Sequence, residues 1–161
     1  MSVTKNVTRT ITINPAFLAE VKDLHRDLWD GLRALQDMCA APITLEGKCF
    51  EFIARLNDLR DKLALQFSLE EAYGYFDDPA FCCPTFARRA RDLMSEHRDL
   101  YREIAQIADQ AEELLSHRDL AALTTVIPVT FEQFARRLRN HESEETKLTH
   151  DGLMQDIGGG D

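Results

Sequence analysis

The chain has 161 residues, of which 44% are hydrophobic and 29% charged, and a formal net charge of −9. That length and apolar content suit one globular domain with its own core and exclude a disordered or fibrous chain. The acidic balance argues against non-specific contact with nucleic acid or with an anionic membrane surface.

No apolar run reaches the roughly 18 residues that a bilayer span needs. Seven glycines and five prolines are too few for a turn-rich all-β fold. The opening MSVTKNVTRTITIN lacks the apolar core of a secretory signal. Cys39, Cys49, Cys82 and Cys83 are therefore expected as reduced thiols in a cytoplasmic protein.

Residues 1–14 alternate weakly and read as an extended arm, packed on the domain or on a partner. Asn14-Pro15 is a helix start, a capping residue followed by proline at the first helical position. Leu18, Val21, His25, Leu28, Leu32, Leu35 and Cys39 then recur at steps of three and four, which is one helical face. Ala41-Pro42-Ile43 ends that helix.

Thr44 is the expected cap of a second helix, whose face runs Cys49, Phe52, Leu56, Leu59, Leu63, Gln66, Glu70 and Tyr73. Asp77-Asp78-Pro79 and Cys83-Pro84-Thr85 bracket the next connection. A third helix follows with Phe86, Ala90, Leu93, His97, Leu100, Ile104, Ile107, Ala111 and Leu114. Ser116 to Asp119 reads as a turn, with Asp119 as the cap of a fourth helix. The face of that helix is Ile127, Phe131, Phe134, Leu138, His141, Glu145 and Leu148. Pro128 should kink this helix or delay its regular part. Residues 151–161, ending Gly-Gly-Gly-Asp, read as a loose tail. The expectation is an all-α, up-down-up-down antiparallel four-helix bundle over residues 15–150.

Each apolar face carries polar interruptions: His25; Gln66 with Glu70; His97; His141 with Glu145. Buried alone, such groups cost several kcal/mol per charge by order of magnitude, so they need partners. In an antiparallel hairpin, residues equidistant from the turn lie at one height. The midpoint between His25 and the Gln66/Glu70 pair falls beside Gly47. That between the pair and His97 falls inside Cys82-Cys83-Pro84, and that between His97 and the His141/Glu145 pair falls beside Asp119. All three are turns found independently, so the six residues should form one layer. His141 and Glu145, four apart on one face, can point at one ion. Imidazole nitrogen with carboxylate oxygen suits iron, manganese or zinc, and a carboxylate between two metals can bridge them.

The chain also looks duplicated. His25-Arg26-Asp27-Leu28-Trp29 is echoed by His97-Arg98-Asp99-Leu100-Tyr101, and Gln66-x-x-x-Glu70 by His141-x-x-x-Glu145. A repeated hairpin makes a pseudo-twofold bundle with two half-sites.

With these residues in this order, the sequence resembles the hemerythrin-like HHE cation-binding family over roughly residues 15 to 150. The family pattern is His on helix 1, His-x-x-x-Glu on helix 2, His on helix 3 and His-x-x-x-Glu/Asp on helix 4. The segments LQFSLEEAYGYF and RNHESEE fit its flanking stretches. The resemblance implies a non-heme di-iron centre with Glu70 and Glu145 bridging, His97 and His141 on one iron, and His25 on the other.

Gln66 stands where that second iron would have another histidine, and its neutral amide oxygen is a poor ligand. Water could fill the position, a single metal could bind, or the centre could be lost. Tyr101 stands where oxygen-carrying hemerythrins have an extra histidine, so sensing, redox chemistry or iron handling is implied over stable oxygen carriage.

The implied cofactor is one or two iron ions, with manganese or zinc as options. The implied small ligand is dioxygen, nitric oxide or peroxide. No nucleic-acid or membrane partner is implied, and a homo-oligomer is allowed. No conventional catalytic constellation stands apart from this centre.

Trp29 and Tyr101, one turn from His25 and His97, read as hydrogen-bond donors to the ligands, as pocket walls or as core filler. His117 and His150 lie off the layer. Glu71 and Glu144 turn away from it toward solvent. Arg88, Arg89, Arg91, Arg136, Arg137 and Arg139 read as a solvated face. The alternative function is a metal-free helical interaction or regulatory module, its layer a hydrogen-bonded polar network. A thiol redox role for Cys82 and Cys83 is weaker, since no C-x-x-C or Cys-His spacing accompanies them.

Overall fold

The computed structural model describes residues 15–73 and 84–158. Among them, five helices pack together and no strand forms: α1 (Pro15–Ala40), α2 (Pro42–Gly47), α3 (Cys49–Tyr73), α4 (Pro84–Ser116) and α5 (Leu120–Gly158). The expected second, third and fourth helices are α3, α4 and α5. Asn14, the expected arm and the pair Cys82-Cys83 lie outside the described residues.

The faces read from the three-four periodicity are the buried faces. Leu28, Leu32 and Leu35 of α1 close on Phe52, Leu56 and Leu63 of α3 and on Phe131 and Phe134 of α5, all fully buried. Ile104, Ile107 and Ala111 add the α4 wall. α1 packs on α3 and α5, and α4 also packs on α3 and α5, but α1 does not approach α4. The four long helices therefore form a ring around one core, with α1 and α4 at opposite corners.

Polar pairs between neighbouring helices keep a constant register. Arg89 meets Asp151, Glu96 meets His141 and Glu103 meets Arg137 across α4 and α5. Glu112 meets Asn57 and His97 meets Glu71 across α4 and α3. In each case one residue number rises as its partner's falls.

The six-residue α2 was not expected. Thr44 caps nothing; it is exposed inside α2. Pro42 starts the helix instead, because its fixed φ suits a first turn and its missing N–H is not needed there. α2 buries Leu45 and touches α1, α3 and α5, closing one end of the core.

The α4–α5 turn follows from backbone hydrogen bonding. Asp119 N donates to Leu114 O (2.9 Å) and Arg118 N to Leu115 O (3.0 Å), the Schellman pattern that satisfies the last carbonyls of α4. Its geometry places Arg118 in the left-handed region at φ 57°. Asp119 then caps α5 as expected, its Oδ1 accepting from Ala122 N at 3.0 Å.

With that cap in place and Leu123 buried, α5 is under way before Pro128, which delays nothing. α5 also continues to Gly158, through most of the segment read as a tail, because no proline or glycine cluster interrupts it earlier. No helix among the described residues is long and apolar enough to cross a membrane.

Asp119→Ala should lower stability by about 1 kcal/mol through loss of the cap. Arg118→Gly should raise it by up to about 1 kcal/mol, because glycine adopts the left-handed conformation without a Cβ clash. Urea unfolding of the two variants checks both signs.

Candidate metal centre

The residues that interrupt the apolar faces meet near the end of the bundle remote from α2. α4 carries His97, 3% exposed; α5 carries His141 at 1% and Glu145 at 6%; α3 carries Gln66 at 6%. Flanking leucines and isoleucines on the same helical faces hold each of these at the core.

Nε2 of His97 and Nε2 of His141 each lie 3.2 Å from the same oxygen, Oε1 of Glu145. Nε2 of His97 is also 3.3 Å from Oε2 of Glu70. The outer nitrogens are taken by carboxylates of neighbouring helices. Nδ1 of His97 is 3.0 Å from Glu71 Oε1, and Nδ1 of His141 is 2.8 Å from Glu96 Oε2. A proton on Nδ1 satisfies those outer contacts, and the Nε2 lone pairs then face inward. Lone pairs facing a carboxylate repel unless a proton or a cation lies between them.

The rings are held in place by Phe67. It stacks on His97 with centroids 4.0 Å apart and planes 6° from parallel, and it meets His141 edge-on at 5.8 Å.

One ligand atom from each of His97, His141 and Glu145 falls within 4.8 Å of the other two, and the same holds for Glu70, Glu142 and Glu145. Donors about 2.0–2.2 Å from one ion stand about 3 Å apart, which the 3.2 Å spacings already match. Nε2 of His141 is buried without the alignment of a hydrogen bond, as is Oε2 of Glu70. The donor set fits a transition-metal ion at the two imidazoles.

The other expected positions fare differently. His25 does not join the buried layer. Its side chain is 45% exposed, and its Nε2 accepts from Trp29 Nε1 at 3.1 Å and lies 3.6 Å from Glu142. α1 stands at the corner opposite α4, so His25 approaches the acidic side of the cluster and not His97. Trp29 is thus a donor to His25. Tyr101 points to solvent at 39% exposure and contributes nothing to the centre. Gln66 donates from Nε2 to Glu70 Oε1 at 2.8 Å, and its own Oε1 is buried without a partner.

Glu71 does not turn away, although half-exposed: it reaches back to His97. Glu96, Glu142 and Phe67 were missed. Each neighbours a recognised position in sequence, but its role depends on the adjoining helix. His117 and His150 are exposed, and Glu144 pairs with Lys147. Of the arginines, Arg89, Arg136, Arg137 and Arg139 find polar partners near the surface.

Crowding of carboxylates sets the proton affinities. Burial, then the charge of Glu145, pushes the Glu70 carboxyl from 4.5 up to about 7, against the Gln66 hydrogen bond and His97. Burial and Glu145 likewise raise Glu142. Burial also acts upward on Glu145, but its contacts to His141 and His97 outweigh this and hold it at about 2. Burial opposes the charge on His141, yet Glu145 and Glu96 raise its affinity for a proton.

No family model, curated protein or solved structure matches this chain.

The raised Glu70 carboxyl makes folding take up a proton between pH 4.5 and about 7. In metal-stripped protein its contribution is present below that window and lost as the pH rises through it, on the order of 3 kcal/mol. His141 acts with the same sign. The urea midpoint should therefore fall between about pH 5 and pH 7.5, and Glu70→Gln should make that slope shallower, leaving the part due to His141 and Glu142.

Proposed function

We propose that this chain is a hemerythrin-like, non-heme iron protein, folded as an up-down-up-down antiparallel four-helix bundle and holding its metal at one end of the core. The constant register of the polar pairs supports the topology. The observation that carries the function is the pair of buried imidazoles, His97 and His141, with both Nε2 atoms on one oxygen of Glu145. A hydrogen-bonded core network aligns its donors with its acceptors, whereas Nε2 of His141 and Oε2 of Glu70 have only ion-pair contacts, to Glu145 at 3.2 Å and to His97 at 3.3 Å.

Two nitrogens and a carboxylate select a borderline transition metal, and manganese or zinc would be held by the same donors. Bound there, iron supplies Lewis acidity and one-electron chemistry toward a small ligand such as dioxygen, nitric oxide or peroxide. The chain's own residues set the geometry. Glu71 and Glu96 fix the imidazole orientations, Phe67 excludes water from one ring face, and Gln66 leaves the α3 side without an imidazole. Fewer protein ligands on that side favour sensing, redox handling of a small ligand or iron handling over a saturated structural site.

A metal-free interaction or regulatory module is the second reading. The Gln66–Glu70 hydrogen bond favours it, since it occupies a carboxylate oxygen that the family pattern gives to metal.

Elemental analysis of the full chain, expressed with iron supplied, separates the two. The first reading expects at least one iron per chain and a loss of most of it in His141→Ala and in Glu145→Gln, with helical circular dichroism retained. Chain that takes up no iron, zinc or manganese would leave the second reading standing.

A further inference from the structure

The outer face of α4 carries a feature that the core centre does not use. An open groove of about 620 Å³ runs along α4, with Arg91, Met94, Ser95, Arg98 and Arg102 of α4 and Glu71 of α3 in its walls. That volume is in the range of small-ligand clefts.

Its three arginines differ from most others in the chain. Every arginine of the described α1 and α3 pairs with a carboxylate, and each one of α5 has a carboxylate or an amide partner. On α4, Arg89 pairs with Asp151. Among the described residues, Arg91, Arg98 and Arg102 have no ion pair and no hydrogen bond, in a chain whose net charge is −9. Arg88, three residues before Arg91, is likewise without an ion pair. The acidic groups at the groove are Glu71, held 3.0 Å from His97, and Asp99. Three positive charges thus face two negative ones, one of which a histidine already engages. Like charges one turn apart on a helix repel, and an anion lying across the row relieves that repulsion.

We propose that this groove binds a small phosphate-bearing ligand, with Arg98 and Arg102 clamping one phosphoryl group and Arg91 receiving a second anionic group. Arg98 and Arg102 stand one helical turn apart, so their planar forks can converge on the same oxyanion, where guanidinium bonds in pairs. Arg91 sits about 10 Å farther along the axis, and its long side chain shortens that gap. Half-buried Met94 lies between them as an apolar floor. Ser95 Oγ donates to Asp92 O at 2.7 Å, so toward the groove it offers lone pairs, and Asp99 offers only acceptors. Those acceptors suit hydroxyl or amino groups on the body of the ligand, as in a sugar phosphate or a nucleotide.

The overall charge decides the size of the ligand. A net −9 repels an extended polyanion such as nucleic acid or an anionic bilayer. A compact ligand lies within one Debye length of the row, about 8 Å at physiological ionic strength, and feels chiefly the arginines. The site is independent of the metal-binding reading. Glu71 is the one residue that both lines the groove and reaches the buried imidazoles.

The test is calorimetric titration of the full chain with inorganic diphosphate at fixed ionic strength. It is repeated with Arg91→Gln, with Arg98→Gln combined with Arg102→Gln, with Arg33→Gln on α1, and with wild-type chain after chelator treatment. The arginines are exposed, so the variants should keep their fold, which circular dichroism checks. The expected result is saturable binding, weakened at least tenfold by the double replacement and by a smaller factor in Arg91→Gln. Arg33→Gln and chelation should leave it unchanged. No binding, or an equal loss in Arg33→Gln, overturns the groove. Binding lost on chelation assigns the phosphate to a core ion, which supports the metal reading and overturns the groove. Phosphatidylcholine vesicles doped with phosphatidic acid should not sediment the chain. Sedimentation with no response to free diphosphate overturns the small ligand in favour of a lipid surface.

Discussion

Oxygen Oε1 of Glu145 lies within 3.2 Å of two imidazole nitrogens, in a core otherwise packed with leucine, isoleucine and phenylalanine. This contact constrains everything around it. A carboxylate there cannot be left unpaired, because desolvation of a lone charge costs several kcal/mol. The imidazoles cannot both be neutral and face it with lone pairs. Protons or a cation must settle the conflict, and the contacts to His141 and His97 hold the Glu145 carboxyl at about 2 in spite of its burial.

The four long helices share the work of holding that contact. α5 carries Glu145 and His141 one turn apart. α4 supplies His97 to the inside and, from the preceding residue, Glu96 to His141. α3 supplies Glu70 to the inside and, from the following residue, Glu71 to His97. Each imidazole is thus gripped at its outer nitrogen by a carboxylate from the next helix, so a change in helix packing would alter ring orientation. α1 makes the weakest contribution, a half-exposed His25 tied to Trp29. The centre is consequently lopsided: nitrogen donors lie toward α4 and oxygen donors toward α1.

The lopsidedness bears on the apparent duplication of the chain. A true twofold would give each half-site the same donors. Gln66 breaks that equivalence on α3 by binding Glu70 through its amide, and His25 breaks it on α1 by standing at the rim. Tyr101, which mirrors Trp29 in the repeat, faces water, whereas Trp29 bonds the adjacent histidine. Repeated spacing therefore survives in the helices without repeated roles in the side chains.

How much was legible in the sequence follows from what determines each feature. The helices and their buried faces were, because steps of three and four report one helix's own geometry and need no neighbour. Phe52, Leu63, Ile104 and Phe134 are buried where that rule places them. Asp119 was legible because a cap is local, and the meeting of His97, His141, Gln66 and Glu145 because hairpin symmetry converts distance from a turn into height. The start of α2 at Pro42 was misread, since threonine and proline both mark helix starts and only packing of Leu45 decides between them. Glu71, Glu96 and Glu142 were not legible as partners of the histidines. Their angular positions point them off their own helix's core face, and contact depends on how far the adjoining helix has rotated toward them. The withdrawal of His25 has the same cause: periodicity marks it as facing inward, but the corner occupied by α1 decides what it can reach.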